Sequence, residues 1–280
     1  MTGSTDPTVM PHSILTYAFA VCRDADAPVP PPLPGMPGGA PVRRLGFGSL
    51  TAIVQDVPAA DFTDEVWQRR LTDRVELERC ARAHHDVVDA VARSCATVPL
   101  ALCTLYQDDQ RAVAALGQDE IRFLEVLRRI AGHAEWGVKV YARPRTAETT
   151  RRSSDAAPEP VTPAATRDAE GAAAPGAGQA YLARRREQQR ARARLHEDAL
   201  RDTATVDETL RRVASAARRL QPQRPELTGD PRPQLLNATY LVAEDRAAEL
   251  AVAVGALRSR VGSDIEVTGP WVPYSFAGEV

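Results

Sequence analysis

The sequence predicts an α+β protein organised as two domains, each a small, mostly antiparallel sheet covered by helices. Three observations predict it. Apolar runs of strand length alternate with longer stretches at the helical period. No repeated strand–helix–strand run calls for one large parallel sheet. A tract rich in Ala, Pro, Ser, Thr, Arg and Gly, residues 143–178, has no periodic apolar face and reads as a flexible linker between two structured regions. At 280 residues the chain is long enough to bury two cores.

The elements follow in order. Residues 1–13 are polar and read as a disordered N-terminus, so the first domain spans 14–142. Ile14 to Cys22 is continuously apolar apart from Thr16, the pattern of a strand buried on both faces. Asp24 to Pro41 is too dense in Pro and Gly for a helix and reads as a loop. Gly48 to Val57 is a second strand, ended by Pro58. Thr63 caps a helix whose first turn carries Asp64 and Glu65, where the helix dipole favours negative charge. Trp67, Leu71 and Val75 start an apolar stripe that Leu77, Cys80, His84, Val87, Val91 and Cys95 continue at spacings of three and four, so the helix is long and carries a bend or break. Val98 to Tyr106 is a third strand. Asp109 to Ala131 is a helix stopped at Gly132, and Glu135 to Ala142 is a fourth strand that closes the first domain.

The second domain, 179–280, opens with a strongly helical stretch from Tyr181 to Leu220. Thr205 and Glu208 form a capping-box pair that predicts a new helix start. Val206, Leu210, Val213, Ala217 and Leu220 give that helix an apolar stripe. After a Pro-rich break at 221–233, Gln234 to Val242 is a strand, Asp245 to Val261 a helix and Asp264 to Thr268 the last strand. This closing β-α-β is similar to half of a ferredoxin-like unit.

Bulk properties exclude several classes. Charged residues make up 26% and the formal net charge is −2, which does not describe a polyelectrolyte, so nucleic acid is not the expected partner. Residues 1–13 lack the basic and apolar regions of a signal peptide. No apolar run approaches the roughly 18 residues of a membrane span. Cys22, Cys80, Cys95 and Cys103 fit neither a CxxC pair nor a small disulfide framework, so free thiols in a reducing cytoplasm are expected.

No motif carries catalysis, a metal or a cofactor. Cys80 and His84 share a helix face, with His85, Asp86 and Asp89 nearby, but that face is the apolar one and favours packing over coordination. The glycines of Leu45-Gly-Phe-Gly-Ser49 precede a strand, whereas a phosphate cradle needs them after a strand and opening a helix. They read as a turn or bulge. Ser94, Ser153 and Ser275 have no His–acid arrangement near them in sequence. Two features remain as candidate partner-binding surfaces. One is Thr268-Gly-Pro-Trp-Val-Pro-Tyr-Ser-Phe276, which concentrates Trp271, Tyr274 and Phe276 between two prolines in a chain with only 5% aromatic residues. The other is the basic segment carrying Arg184, Arg185, Arg186, Arg190, Arg192 and Arg194, which reads either as a solvated helix or as a surface for an acidic partner.

Three ordered segments resemble the gas vesicle protein L/F family. They are Val98-Pro-Leu-Ala-Leu-Cys-Thr-Leu-Tyr106 behind a helix with Ala83-His84-His85; Glu135-Trp-Gly-Val-Lys-Val140; and Leu236-Asn-Ala-Thr-Tyr-Leu-Val242 with Thr268 to Phe276. The resemblance spans roughly residues 14–276. The chain departs from the family pattern at Ala101, where an Arg is usual, at Cys103, where a Gly is usual, and at Val272, where a second Pro is frequent. All three changes are expected to be compatible with a strand. The resemblance implies a two-domain α/β protein with a modified ferredoxin-like second domain. It implies an accessory or minor structural protein of gas vesicles, not an enzyme and without cofactors. Its expected partners are the main shell subunit, gas vesicle protein A, and other accessory proteins during nucleation and assembly. The alternative is a scaffold or regulatory module that binds an acidic partner through the Arg-rich helix.

Overall fold

The computed structural model describes residues 14–23, 33–143, 177–223 and 232–278. The expected disordered N-terminus, most of the expected linker and part of the loops before Leu33 and Arg232 lie outside the described residues. The chain is α+β, with two antiparallel sheets.

The first sheet has the order β2-β3-β1-β4, with β5 also paired to β1. β1 is Ile14–Cys22, β2 Arg43–Phe47 and β3 Leu50–Pro58; β4 is Thr97–Pro99 and β5 Leu105–Tyr106. β1 is central and its last seven residues are all buried, as its unbroken apolar run predicts. The helix predicted from Thr63 is two: α1 (Asp64–Thr72) and α2 (Arg74–Ala92). Asp73 breaks the run and caps α2, accepting from the N–H of Val75 at 2.9 Å. The next helix also divides, into α3 (Asp109–Gln118) and α4 (Glu120–Ile130). α2 covers one face of the sheet, where Tyr17, Phe19 and Ile53 meet Val87, Val88 and Val91. α3 and α4 cover the other, where Val21, Leu50 and Val54 meet Leu116, Phe123 and Leu127.

Two local expectations change. Leu45–Ser49 reads in sequence as a turn or bulge; in the structure Arg43–Phe47 pairs with β3 and the turn is Gly48-Ser49 alone. Gly48 has φ +53°, a left-handed conformation that favours glycine, and its place beyond Phe47 makes the two-residue hairpin possible. The predicted strand Val98–Tyr106 is interrupted at Leu100–Thr104. Cys103 there has φ +68°. The family's usual Gly suits that conformation, so this Cys is not in the strand setting expected of it but in a tight turn.

The second sheet has the order β7-β8-β6-β9. β6 is His133–Tyr141, β7 Ala216–Arg219, β8 Gln234–Ala243 and β9 Asp264–Trp271. β6, assigned from sequence to the first domain, is therefore a central strand of the second sheet, paired along its length with β8 and β9. The compositional boundary at 142 does not separate the two sheets, because strand pairing reaches across it. One face is covered by α5 (Ala177–Val213) and α6 (Ala247–Arg260), through Val206, Leu210, Leu250 and Leu257 against Val138, Val140 and Tyr240.

α5 runs unbroken through the predicted capping box. The Thr205 hydroxyl instead donates to the Arg201 carbonyl one turn back, a bond made inside a helix. The helix also ends earlier than expected, at Val213, and Ala216–Arg219 joins the sheet as β7, because pairing to β8 outweighs the local preference of Ala and Arg for helix.

Candidate functional site

The C-terminal segment is where the two sheets meet. Among the described residues β9 is an edge strand beside β6, a position where a proline such as Pro270 is tolerated. The strand continues past Thr268, the predicted end, to Trp271, by way of an irregular register opposite Glu135–Gly137. Gly269 lies at that irregularity with φ +127°; a Cβ there would stand 2.8 Å from the Glu135 carbonyl oxygen, so glycine is required.

After Trp271 the chain leaves the second sheet and crosses to the first. Val272 packs with Tyr17, Phe19 and Val88, whereas Phe276 and Ala277 enter the core beneath α4. Polar groups hold the crossing. Ser275 donates its N–H (2.8 Å) and its hydroxyl (2.6 Å) to the two oxygens of Glu135, a carboxylate only 6% exposed. Arg129 of α4 donates to the Phe276 carbonyl, and Arg218 of β7 to the Ser275 carbonyl. Burial pushes Glu135 above the usual carboxylate range, against the opposing pull of the Ser275 donors and Arg218. Glu135 does not stand out in the sequence; a lone acid in a strand whose interior is mostly apolar is the signal it offers.

This anchoring sorts the aromatic candidates. Phe276 is buried in a core, and Tyr274 is half-buried, with its hydroxyl 3.5 Å from Nδ1 of His85. Trp271 remains 48% exposed, edge-on to His85 with ring centroids 6.0 Å apart. It stands at an open cleft of about 410 Å³ between the end of α2, the start of β6 and the crossing segment, whose walls include Arg93, Cys95, Thr97, His133 and Pro273. The cleft mixes apolar and polar groups and is bounded by Pro270 and Trp271 at the end of the edge strand β9. Such a surface can take up an apolar or aromatic segment and offer backbone pairing to a strand.

Arg184, Arg185 and Arg186 are elsewhere, on the first turns of α5. Every described side chain from Gln179 to Asp198 is exposed except Ala191, which is half-buried. The helix reaches the body only near Asp202, whose carboxylate accepts from the Gly262 N–H and the Ser263 hydroxyl, both at 2.9 Å. Farther along, the buried Asp207 accepts from Tyr240 Oη (2.7 Å), Arg211 and Arg219. Burial alone would raise this carboxyl, but the donors together hold it below its ordinary value.

The remaining sequence candidates are structural. His84 is 3% exposed, and its Nδ1 lies 2.9 Å from the Tyr17 hydroxyl, which itself accepts from the Cys103 N–H at 3.0 Å. With the Cys103 N–H on the phenol oxygen, the imidazole tautomer that leaves Nδ1 bare accepts the Tyr17 proton. Burial lowers the His84 pKa to about 4, the Leu100 backbone acting in the opposite sense. Ser275 is committed to Glu135, and Ser153 lies outside the described residues. Among the described residues no three His, Cys, Asp or Glu side chains are grouped to hold a metal ion, and no helix is long and apolar enough to cross a membrane.

Comparison with known proteins gives a consistent result. The family model of the gas vesicle synthesis proteins GvpL/GvpF matches residues 15–278. Gas vesicle protein L of Streptomyces sp. (strain CB03234) is 36% identical over 264 residues, 94% of this chain and 93% of the relative. Gas vesicle protein F of the same strain is 26% identical over 271 residues, covering 93% and 98%. The crystal structure of gas vesicle protein GvpF from Anabaena sp. PCC7120 has the same fold, with a TM-score of 0.60 at 14% identity over 95% of this chain and 96% of that one. GvpF from Microcystis aeruginosa gives 0.59 at 15% identity, over 94% and 98%.

Proposed function

The chain belongs to the GvpL/GvpF family of gas vesicle synthesis proteins, and from that premise we propose that it is a non-catalytic accessory protein of cytoplasmic gas vesicle assembly that binds the main shell subunit and presents it to other assembly factors. The observation that carries this reading is Trp271. It stays half exposed at an open cleft and at the end of the edge strand β9, while Val272 and Phe276, which follow it in the chain, are fixed in cores. A rigidly held, exposed indole at such a place is characteristic of a protein-binding surface. A shell subunit with a strongly apolar face needs a cover of this kind until it is incorporated. The β-α-β-β-α-β order of β6 to β9 supports reading the second sheet and its helices as a modified ferredoxin-like unit that supplies this edge.

Co-expression of the full chain with gas vesicle protein A tests the proposal. The shell subunit should remain in the soluble fraction and co-purify. Trp271→Ala should reduce its recovery at least fivefold while leaving the melting temperature within about 3 °C, because an exposed side chain contributes little to the fold. Failure to co-purify, or recovery unchanged by Trp271→Ala, refutes the surface.

A further inference from the structure

We propose that the projecting half of α5 is a docking arm for an acidic helix of a partner protein, read through the row Arg186, Arg190 and Arg194. This surface is separate from the one around Trp271 and does not depend on it.

Four observations carry the inference. First, the arm is long and bare. From Ala177 to Arg201 the helix advances about 37 Å with almost all described side chains in solvent. Tertiary packing, which usually holds helices of this kind together, is missing from most of that length.

Second, its charge is concentrated and uncompensated. Between Tyr181 and Arg194 there are six arginines and one acid, Glu187. Among the described residues none of those six forms an ion pair, whereas Arg201, Arg211, Arg212 and Arg219, nearer the body or within it, all do. From Arg194 to Arg201, Arg211 and Arg212 the change from unpaired to paired occurs along one continuous helix.

Third, the row is self-repelling. Arg186, Arg190 and Arg194 follow each other at four-residue spacing, so their guanidinium groups stack along one face. Like charges at that spacing weaken a helix. An opposing ladder of carboxylates removes the repulsion and replaces it with paired contacts.

Fourth, the row has the shape for a helix. Ala183 and Ala191 lie with Arg186, Glu187, Arg190 and Arg194 around one shallow depression. The small side chains allow another helix to approach, while the arginines reach past it to carboxylates. Four residues of helix rise about 6 Å, and a second helix with Glu or Asp at every fourth position repeats at that distance. Nucleic acid is disfavoured because Tyr181 is the single aromatic side chain on the arm, which leaves no stacking platform.

The test uses the full chain and four probes: a 25-residue Ala-based helical peptide with Glu at every fourth position, a peptide of the same composition with Glu scattered around the helix, a duplex DNA of 20 base pairs, and vesicles containing phosphatidylserine. The laddered peptide should bind most tightly, at least threefold better than the scattered one, and its affinity should fall as salt is raised. Replacing Arg186, Arg190 and Arg194 together by Gln should weaken it at least tenfold, while Arg185→Gln with Arg192→Gln, on another face, should weaken it less than threefold. Both variants should unfold in urea as the parent chain does, since these side chains are exposed. Equal binding of the two peptides, equal loss in the two variants, or tighter binding to DNA or vesicles overturns the proposal. Loss of shell-subunit capture in Trp271→Ala with peptide binding intact would show that the two surfaces act separately.

Discussion

Acidification should destabilise this protein through His84, and the size of the effect can be worked out. The imidazole lies between Tyr17 and Phe19, 3% exposed, and its pKa is lowered by burial to about 4 from an ordinary 6.5. The unfolded chain therefore binds a proton at this residue between those two values and the folded chain does not. Stability falls as pH drops through that window. Between pH 7 and pH 5 the expected loss is about 2 kcal/mol, approaching about 3 kcal/mol below pH 4. Urea denaturation of the parent and of His84→Gln at both pH values isolates it. Glutamine can still accept from the Tyr17 hydroxyl but does not titrate. The stability difference between parent and variant should therefore shift by about 2 kcal/mol toward the variant on going to pH 5. Two proteins that lose stability in parallel would show that His84 is not held neutral by its surroundings, and the buried Tyr17–His84 arrangement would be wrong.

Other outcomes follow from the crossing segment and from α5. Phe276→Ala should lower stability by about 3–5 kcal/mol, because the ring fills the core under α4; a urea midpoint unchanged from the parent would mean that the segment is not docked. Glu135 titrates in the opposite sense to a salt-bridged acid. Its folded pKa is raised, so its ionisation costs stability as pH rises above the ordinary carboxylate value. Glu135→Gln, which keeps an acceptor for the Ser275 N–H, should gain on the parent as pH is raised from 4 to 7 in urea titrations, and a constant difference refutes this. Asp207→Ala should cost about 1–3 kcal/mol by leaving the buried Tyr240 hydroxyl without its acceptor. Adding Tyr240→Phe should recover part of that loss, and strictly additive losses in the double variant would refute the coupling.

The parts legible in the sequence are those in which a residue's own chemistry decides its place. β1 is readable because its apolar run leaves no polar face, and the α2 stripe because Val87 and Val91 repeat at the helical period. β2 and β7 are not readable. Arg43-Arg44 and Arg218-Arg219 place charges in short edge strands whose conformation is decided by the partner strand. The membership of β6 is hidden for the same reason, since its neighbours in the sheet are about 100 residues away in β8 and farther still in β9. Within the candidate site, the aromatic cluster is conspicuous, but sequence does not say that Phe276 turns inward and Trp271 outward. That division is set by the irregularity at Gly269-Pro270 and by the grip of Glu135 on Ser275. The arginines at 184–194 are visible as a basic run, whereas the lack of an ion pair at any of them among the described residues requires the three-dimensional arrangement.

The crossing of residues 272–277 from one sheet to the other has a consequence for biosynthesis. The hydrophobic interior formed by β1, β3 and α4 is synthesised early, yet it is finished by Phe276 and Ala277, which leave the ribosome after every other element described here. β6 likewise emerges long before the strands on either side of it. A nascent chain of this protein thus carries an unsealed greasy interior and an unpaired strand until β8, β9 and residues 272–277 have emerged, and these later segments limit its association with neighbours on the same message.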